Sequence, residues 1–206
     1  MAESNQRSYS KFVGVVANVL DGLRIEYGFA GSFASSQYGE PRQTIDVDLT
    51  AHLQPGDADR FATAFKAVKM FADAETIREA FGYRNPMPFG VIDAAGGWKA
   101  DCYLLRNAPY DQAAFARRRE FPYPSATRGL VWLYAPEDVI LLKLDYYGIS
   151  QGVSTKHLRD IASMLANMGR WDRPLDTDYI NQWATELQVI DYWTKLWDEF
   201  QRKANS

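Results

Sequence analysis

Between Thr44 and Ala51 the sequence alternates without interruption, with Ile45, Val47 and Leu49 set against Thr44, Asp46, Asp48 and Thr50. A period of two defines a strand with one apolar and one polar face, so this segment belongs to a half-buried sheet. Aspartate is depleted in strands, yet Asp46 and Asp48 both project from the polar face. Two like charges so close repel each other. A shared Mg²⁺ removes the repulsion, because it prefers carboxylate oxygens together with substrate phosphates. The competing reading is an ordinary solvated face of an amphipathic strand.

The preceding residues favour the metal reading. Tyr27–Ala30 has strand character and runs into Gly31-Ser32, a turn that opens a short helix through Gln37. Gly31 allows close backbone approach to a ligand, and Ser32 offers a hydroxyl and an N–H at a helix start. Oriented N–H groups and the helix dipole there favour phosphate.

Elsewhere the first part of the chain changes period often. Phe12, Val13, Val16, Val19, Leu20 and Leu23 mark a helix ending near Arg24, and further helices are expected over 57–68 and 74–81. Phe89–Asp93 and Trp98–Leu105 flank Ala94-Ala95-Gly96-Gly97 and predict a β-hairpin. One or two strands follow between Arg117 and Tyr134. From Pro136 onward the pattern is helical, with helices expected to about Tyr147 and then over 155–168, 177–187 and 190–203. The fold class is therefore α+β. An α+β domain over 1–134 is followed by a helical C-terminal subdomain over 135–206.

Composition sets outer limits. The 206 residues are 47% hydrophobic and 24% charged, as in a folded globular chain, and no apolar run approaches the roughly 20 residues of a membrane span. The polar start over 1–10 lacks a signal core, which points to a cytoplasmic protein. A single cysteine, Cys102, leaves no internal disulfide framework, and it is expected to be a buried, inert thiol. A net charge of −3 argues against indiscriminate nucleic-acid binding. Arg42, Lys143, Lys156 and Arg117–Arg119 could still make the surroundings of a cleft locally cationic. A short basic run such as Arg117–Arg119 is ordinarily solvated. Trp193, Leu196, Trp197 and Phe200 recur at helical spacing and read as core.

The run Gly31-Ser32, Ala34, then Gly39-Glu-Pro-Arg42-Gln-Thr44-Ile-Asp46-Val-Asp48-Leu49 resembles the nucleotidyltransferase superfamily, and more narrowly its AbiEii/AbiGii-type toxin members. The close match covers about twenty residues. A looser one extends to Leu165 through Ala135-Pro-Glu-Asp-Val-Ile-Leu-Leu-Lys143 and Lys156-His-Leu-Arg-Asp160, with His157 where the family pattern usually has aspartate. The resemblance implies a mixed β-sheet with flanking helices and a third carboxylate on a later strand. Asp101, just before an apolar run, is favoured for that place. Asp93, next to the glycine turn, is the other candidate and is more easily explained as a turn residue.

The activity implied is transfer of a nucleoside monophosphate from an NTP to an acceptor hydroxyl, with release of pyrophosphate. Asp46, Asp48 and Asp101 would hold two Mg²⁺ ions, or Mn²⁺ in their place. Gly31, Ser32, Arg42, Lys143, Lys156 and Asp160 would serve the nucleotide. Lys143 has a plain alternative, that of a lysine snorkelling to water. The toxin members imply tRNA or another RNA as acceptor and an antitoxin protein as partner. A small-molecule (antibiotic-type) nucleotidyltransferase and a non-catalytic nucleotide-binding module are the alternatives.

Overall fold

The computed structural model describes residues 8–83 and 87–204. In chain order the elements begin α1 (Tyr9–Gly22), β1 (Tyr27–Phe29), α2 (Gly31–Tyr38) and β2 (Asp46–Ala51). They continue through α3 (Ala58–Ala67), α4 (Ala74–Ala80), β3 (Phe89–Asp93), β4 (Trp98–Leu104) and α5 (Pro109–Ala116). The last are β5 (Arg119–Pro122), β6 (Leu130–Leu133), α6 (Pro136–Ile149), α7 (Thr155–Asn167), α8 (Thr177–Glu186) and α9 (Ile190–Ala204). The chain divides into two compact units, one of residues 1–30 with 44–133 and the other of 31–43 with 134–206.

The first unit is built on one mixed sheet in the order β3-β4-β2-β1-β6-β5. β2 and β4 are parallel, as are β1 and β6, and the remaining neighbours are antiparallel. One sheet face is dry. Val47 and Leu49 of β2 and Ala100 and Cys102 of β4 are fully buried, and Phe61 of α3 meets Phe89 of β3 edge to face at 5.5 Å. α1 contributes Phe12, Val16 and Leu20 to this core, and Ser8 caps its start by accepting from the Lys11 N–H. Cys102 is the inert thiol expected, since burial pushes it up, helped by the charges of Asp101 and Asp48.

Three local readings change. Ile45 is 71% exposed instead of buried, because β2 begins only at Asp46. Thr44 turns its hydroxyl onto the Asp46 carbonyl and carboxylate, which ends the alternation one step early. Arg118 is not solvated. It stacks on Phe115, donates to the Phe115 carbonyl, and donates to the Tyr27 carbonyl at 2.6 Å. α5 has no counterpart in the periodicity, as its eight residues start at Pro109 without a capping side chain and bury only Tyr110, Ala114 and Phe115.

The second unit is helical. α2 packs with α6 and α7, α8 packs on α6 and α9 on α7 and α8, and Ile180, Ala184 and Trp193 are buried there. Two buried acids at the start of α6 tie α8 in place. Glu137 accepts from Arg173 and from the Asp176 N–H, and Asp138 accepts from the Tyr179 hydroxyl at 2.7 Å. At Gly39 a side chain would meet Ser163 Oγ at 2.7 Å, and the same hydroxyl accepts from the Glu40 N–H. Leu196, Trp197 and Phe200 are half-buried, so only Trp193 of the aromatic stripe on α9 belongs fully to the core. Among the described residues no helix is long and apolar enough to cross a membrane.

Candidate functional site

In the sheet unit, parallel pairing of β2 with β4 sets Asp46 beside Lys99 and Asp48 beside Asp101. Residues in register on neighbouring strands point to the same side, so Asp46, Asp48 and Asp101 share one face. That face is opposite the dry one carrying Val47, Leu49, Ala100 and Cys102. Asp93 lies on the dry side instead, paired with Trp98 and only 1% exposed. Its carboxylate accepts from the Gly96 N–H and its carbonyl from the Gly97 N–H, which closes the hairpin turn. The alternation therefore separates the two candidates for third carboxylate by face.

The three aspartates offer hard oxygen donors from one face, the donor type that Mg²⁺ takes. Their side chains are engaged within the protein. Asp46 accepts from the Thr44 hydroxyl at 2.6 Å, and Asp101 forms an ion pair with Lys99 at 2.6 Å. Among the described residues no three His, Cys, Asp or Glu side chains are gathered as a metal-holding group.

In the helical unit, four of the expected residues meet. Gly31 opens α2 with φ +57°, a left-handed conformation that glycine adopts without penalty. Arg42 donates to both oxygens of Asp160, at 3.0 and 3.1 Å, and to the Ser32 hydroxyl. Lys143 donates to Asp160 Oδ2 at 2.6 Å, and both side chains are buried. Burial works against the Asp160 carboxylate, but the Arg42 and Lys143 hydrogen bonds outweigh it and hold the carboxyl below its usual range. The result is a buried acid that fixes two cations, one of them on the hydroxyl at the start of α2.

Lys156 stands apart from this cluster. It is exposed, and Asp160 turns inward to Lys143 and Arg42. His157 stacks on Tyr146. Ser163 escaped the sequence reading because a single hydroxyl contact leaves no periodic trace.

The fold is similar to that of solved nucleotidyltransferase structures. An antigenic nucleotidyltransferase-like protein from Paracoccidioides brasiliensis aligns with 76% of this chain and 75% of its own, at a TM-score of 0.53 and 22% identity. The antibiotic-resistance factor ANT(2'')-Ia aligns over 95% and 96% of the two chains, with a TM-score of 0.53 and 12% identity. The lincosamide antibiotic adenylyltransferase LnuA, bound to lincomycin, aligns over 78% and 98%, with a TM-score of 0.50 and 9% identity. At such identities the likeness is one of fold. No family model matches the sequence, and no curated protein matches it significantly.

Proposed function

We propose that the chain is a divalent-metal-dependent nucleotidyltransferase that moves a nucleoside monophosphate from an NTP to an acceptor hydroxyl. The observation carrying this is the register that sets Asp48 beside Asp101 with Asp46 on the same face. Asp46, Asp48 and Asp101 would hold Mg²⁺, which when bound neutralises triphosphate charge and acidifies the acceptor hydroxyl. Gly31 and the Ser32 N–H and hydroxyl receive phosphate at the start of α2. Arg42 and Lys143, oriented by Asp160, balance its charge, and Lys156 adds an exposed cation. Asp101 takes the proton of the acceptor hydroxyl.

The resemblance of Gly39–Leu49 to the AbiEii/AbiGii-type toxins makes tRNA the first acceptor to try, and with it the toxin role and the antitoxin partner. A second reading, modification of an antibiotic-like small molecule, is favoured by the near-complete overlap with ANT(2'')-Ia. Incubation with each labelled NTP, total RNA and a panel of aminoglycosides and lincosamides separates the two by what becomes labelled. The double variant Asp46→Ala with Asp48→Ala is expected to lose labelling. Undiminished transfer by it overturns the mechanism, and nucleotide binding without turnover on any acceptor favours a binding module.

A further inference from the structure

The ion pair of Lys143 and Asp160 has a neighbour on the same two helices. Tyr146 and His157 stack with ring centroids 6.1 Å apart and planes 19° from parallel. Tyr146 lies three residues after Lys143 on α6, and His157 three residues before Asp160 on α7. Ion pair and stack are thus successive rungs between α6 and α7, separated by about one helical turn, roughly 5 Å.

Tyr146 is not a core residue, since 44% of its surface is exposed, and Ile149, one turn further along α6, is 70% exposed. The flat imidazole of His157 backs its ring. His157 Nδ1 is buried and finds no hydrogen-bond partner, so stacking sets the orientation of that ring. Burial, with the charges of Lys143 and Lys156, pushes the imidazole down and keeps it neutral. An exposed aromatic ring on a neutral planar backing, one turn from cations suited to phosphate, has the layout of a nucleotide, whose base and phosphates are separated by one sugar.

We propose that Tyr146, backed by His157, is the stacking seat for the base of the nucleoside triphosphate. The inference rests on the nucleotidyltransferase reading above. Stacking uses the flat face that every base has, so this seat selects nucleotides over other polyphosphates while discriminating weakly among the four bases.

The test compares calorimetric binding of the α,β-methylene analogues of ATP, GTP, CTP and UTP with that of inorganic tripolyphosphate, all with Mg²⁺. The proteins are wild type, Tyr146→Ala, Tyr146→Phe and His157→Ala. Tyr146→Ala is expected to weaken all four nucleotides about tenfold and leave tripolyphosphate unchanged, with Tyr146→Phe close to wild type. His157→Ala should lie between, through loss of the backing. Equal weakening of tripolyphosphate by Tyr146→Ala, or unchanged nucleotide affinity, overturns the seat and leaves the phosphate reading standing. Wild-type protein that binds neither nucleotide nor tripolyphosphate overturns both.

Discussion

The ammonium of Lys143 and the carboxylate of Asp160 lie 2.6 Å apart, at 5% and 8% side-chain exposure, and Asp160 is shared with the guanidinium of Arg42. Removing one partner of a buried pair leaves an uncompensated charge, which costs about 3–5 kcal/mol. Asp160→Ala strands Lys143 and is expected to lower the melting temperature by roughly 10 °C. Lys143→Met should cost less, because Asp160 keeps Arg42 and the new side chain fills similar volume. Thermal melts of the two variants check the order, and equal losses would contradict it.

The same pair sets a pH response. The folded carboxyl of Asp160 lies below its unfolded value of about 3.9, so the unfolded state binds the proton first as the pH falls. Its contribution is complete well above pH 4 and is lost as the pH drops through the folded value. Urea titrations of wild type and Asp160→Asn at pH 7, 5, 4 and 3 should show a stability gap that is constant at the first two and narrows from pH 4 downward.

Lys99 holds Asp101 at 2.6 Å while half exposed itself. A divalent ion at the aspartates must compete with that ammonium for the carboxylate. Lys99→Ala is therefore expected to tighten Mn²⁺ binding several-fold, and Asp48→Asn with Asp101→Asn to abolish it. Electron paramagnetic resonance titration of free Mn²⁺ reads both. Weaker binding by Lys99→Ala would show that the lysine supports the ion instead.

Two glycines of α1 should respond with opposite signs. A Cβ at Gly14 would lie 2.2 Å from the Ser125 carbonyl oxygen, so Gly14→Ala must shift backbone and costs about 1–3 kcal/mol. A Cβ at Gly22, exposed at the end of the helix, would meet nothing within 4 Å. Gly22→Ala is neutral or stabilises by up to about 1 kcal/mol through helix propensity. Denaturant midpoints of the two variants decide it.

What was legible in the sequence was what repeats. The strands around Asp46, Asp48 and Asp101 and the helices after Pro136 announce themselves by period, because burying a face demands regular apolar spacing. Even the separation of Asp93 from Asp101 by face reduces to alternation once the register is known. The register itself is a long-range pairing and leaves no local mark. Nor does the partner of Asp160. Helical spacing offers Lys156, four residues before it, whereas burial brings Lys143 and Arg42, the latter 118 residues away in the chain. α5 shows the same limit, as eight residues with little amphipathicity fold where their neighbours let them.

The path of the backbone has a consequence for how such a chain can be divided or recombined. It leaves the sheet unit after Ala30, returns after Gln43 and leaves again after Leu133. A cut near residue 134, where composition changes, would strip α2 of the helices it packs on. Exchange of C-terminal halves between relatives therefore carries a hidden requirement: the thirteen-residue internal segment has to travel with its distant helices, or the graft arrives without its own packing surface.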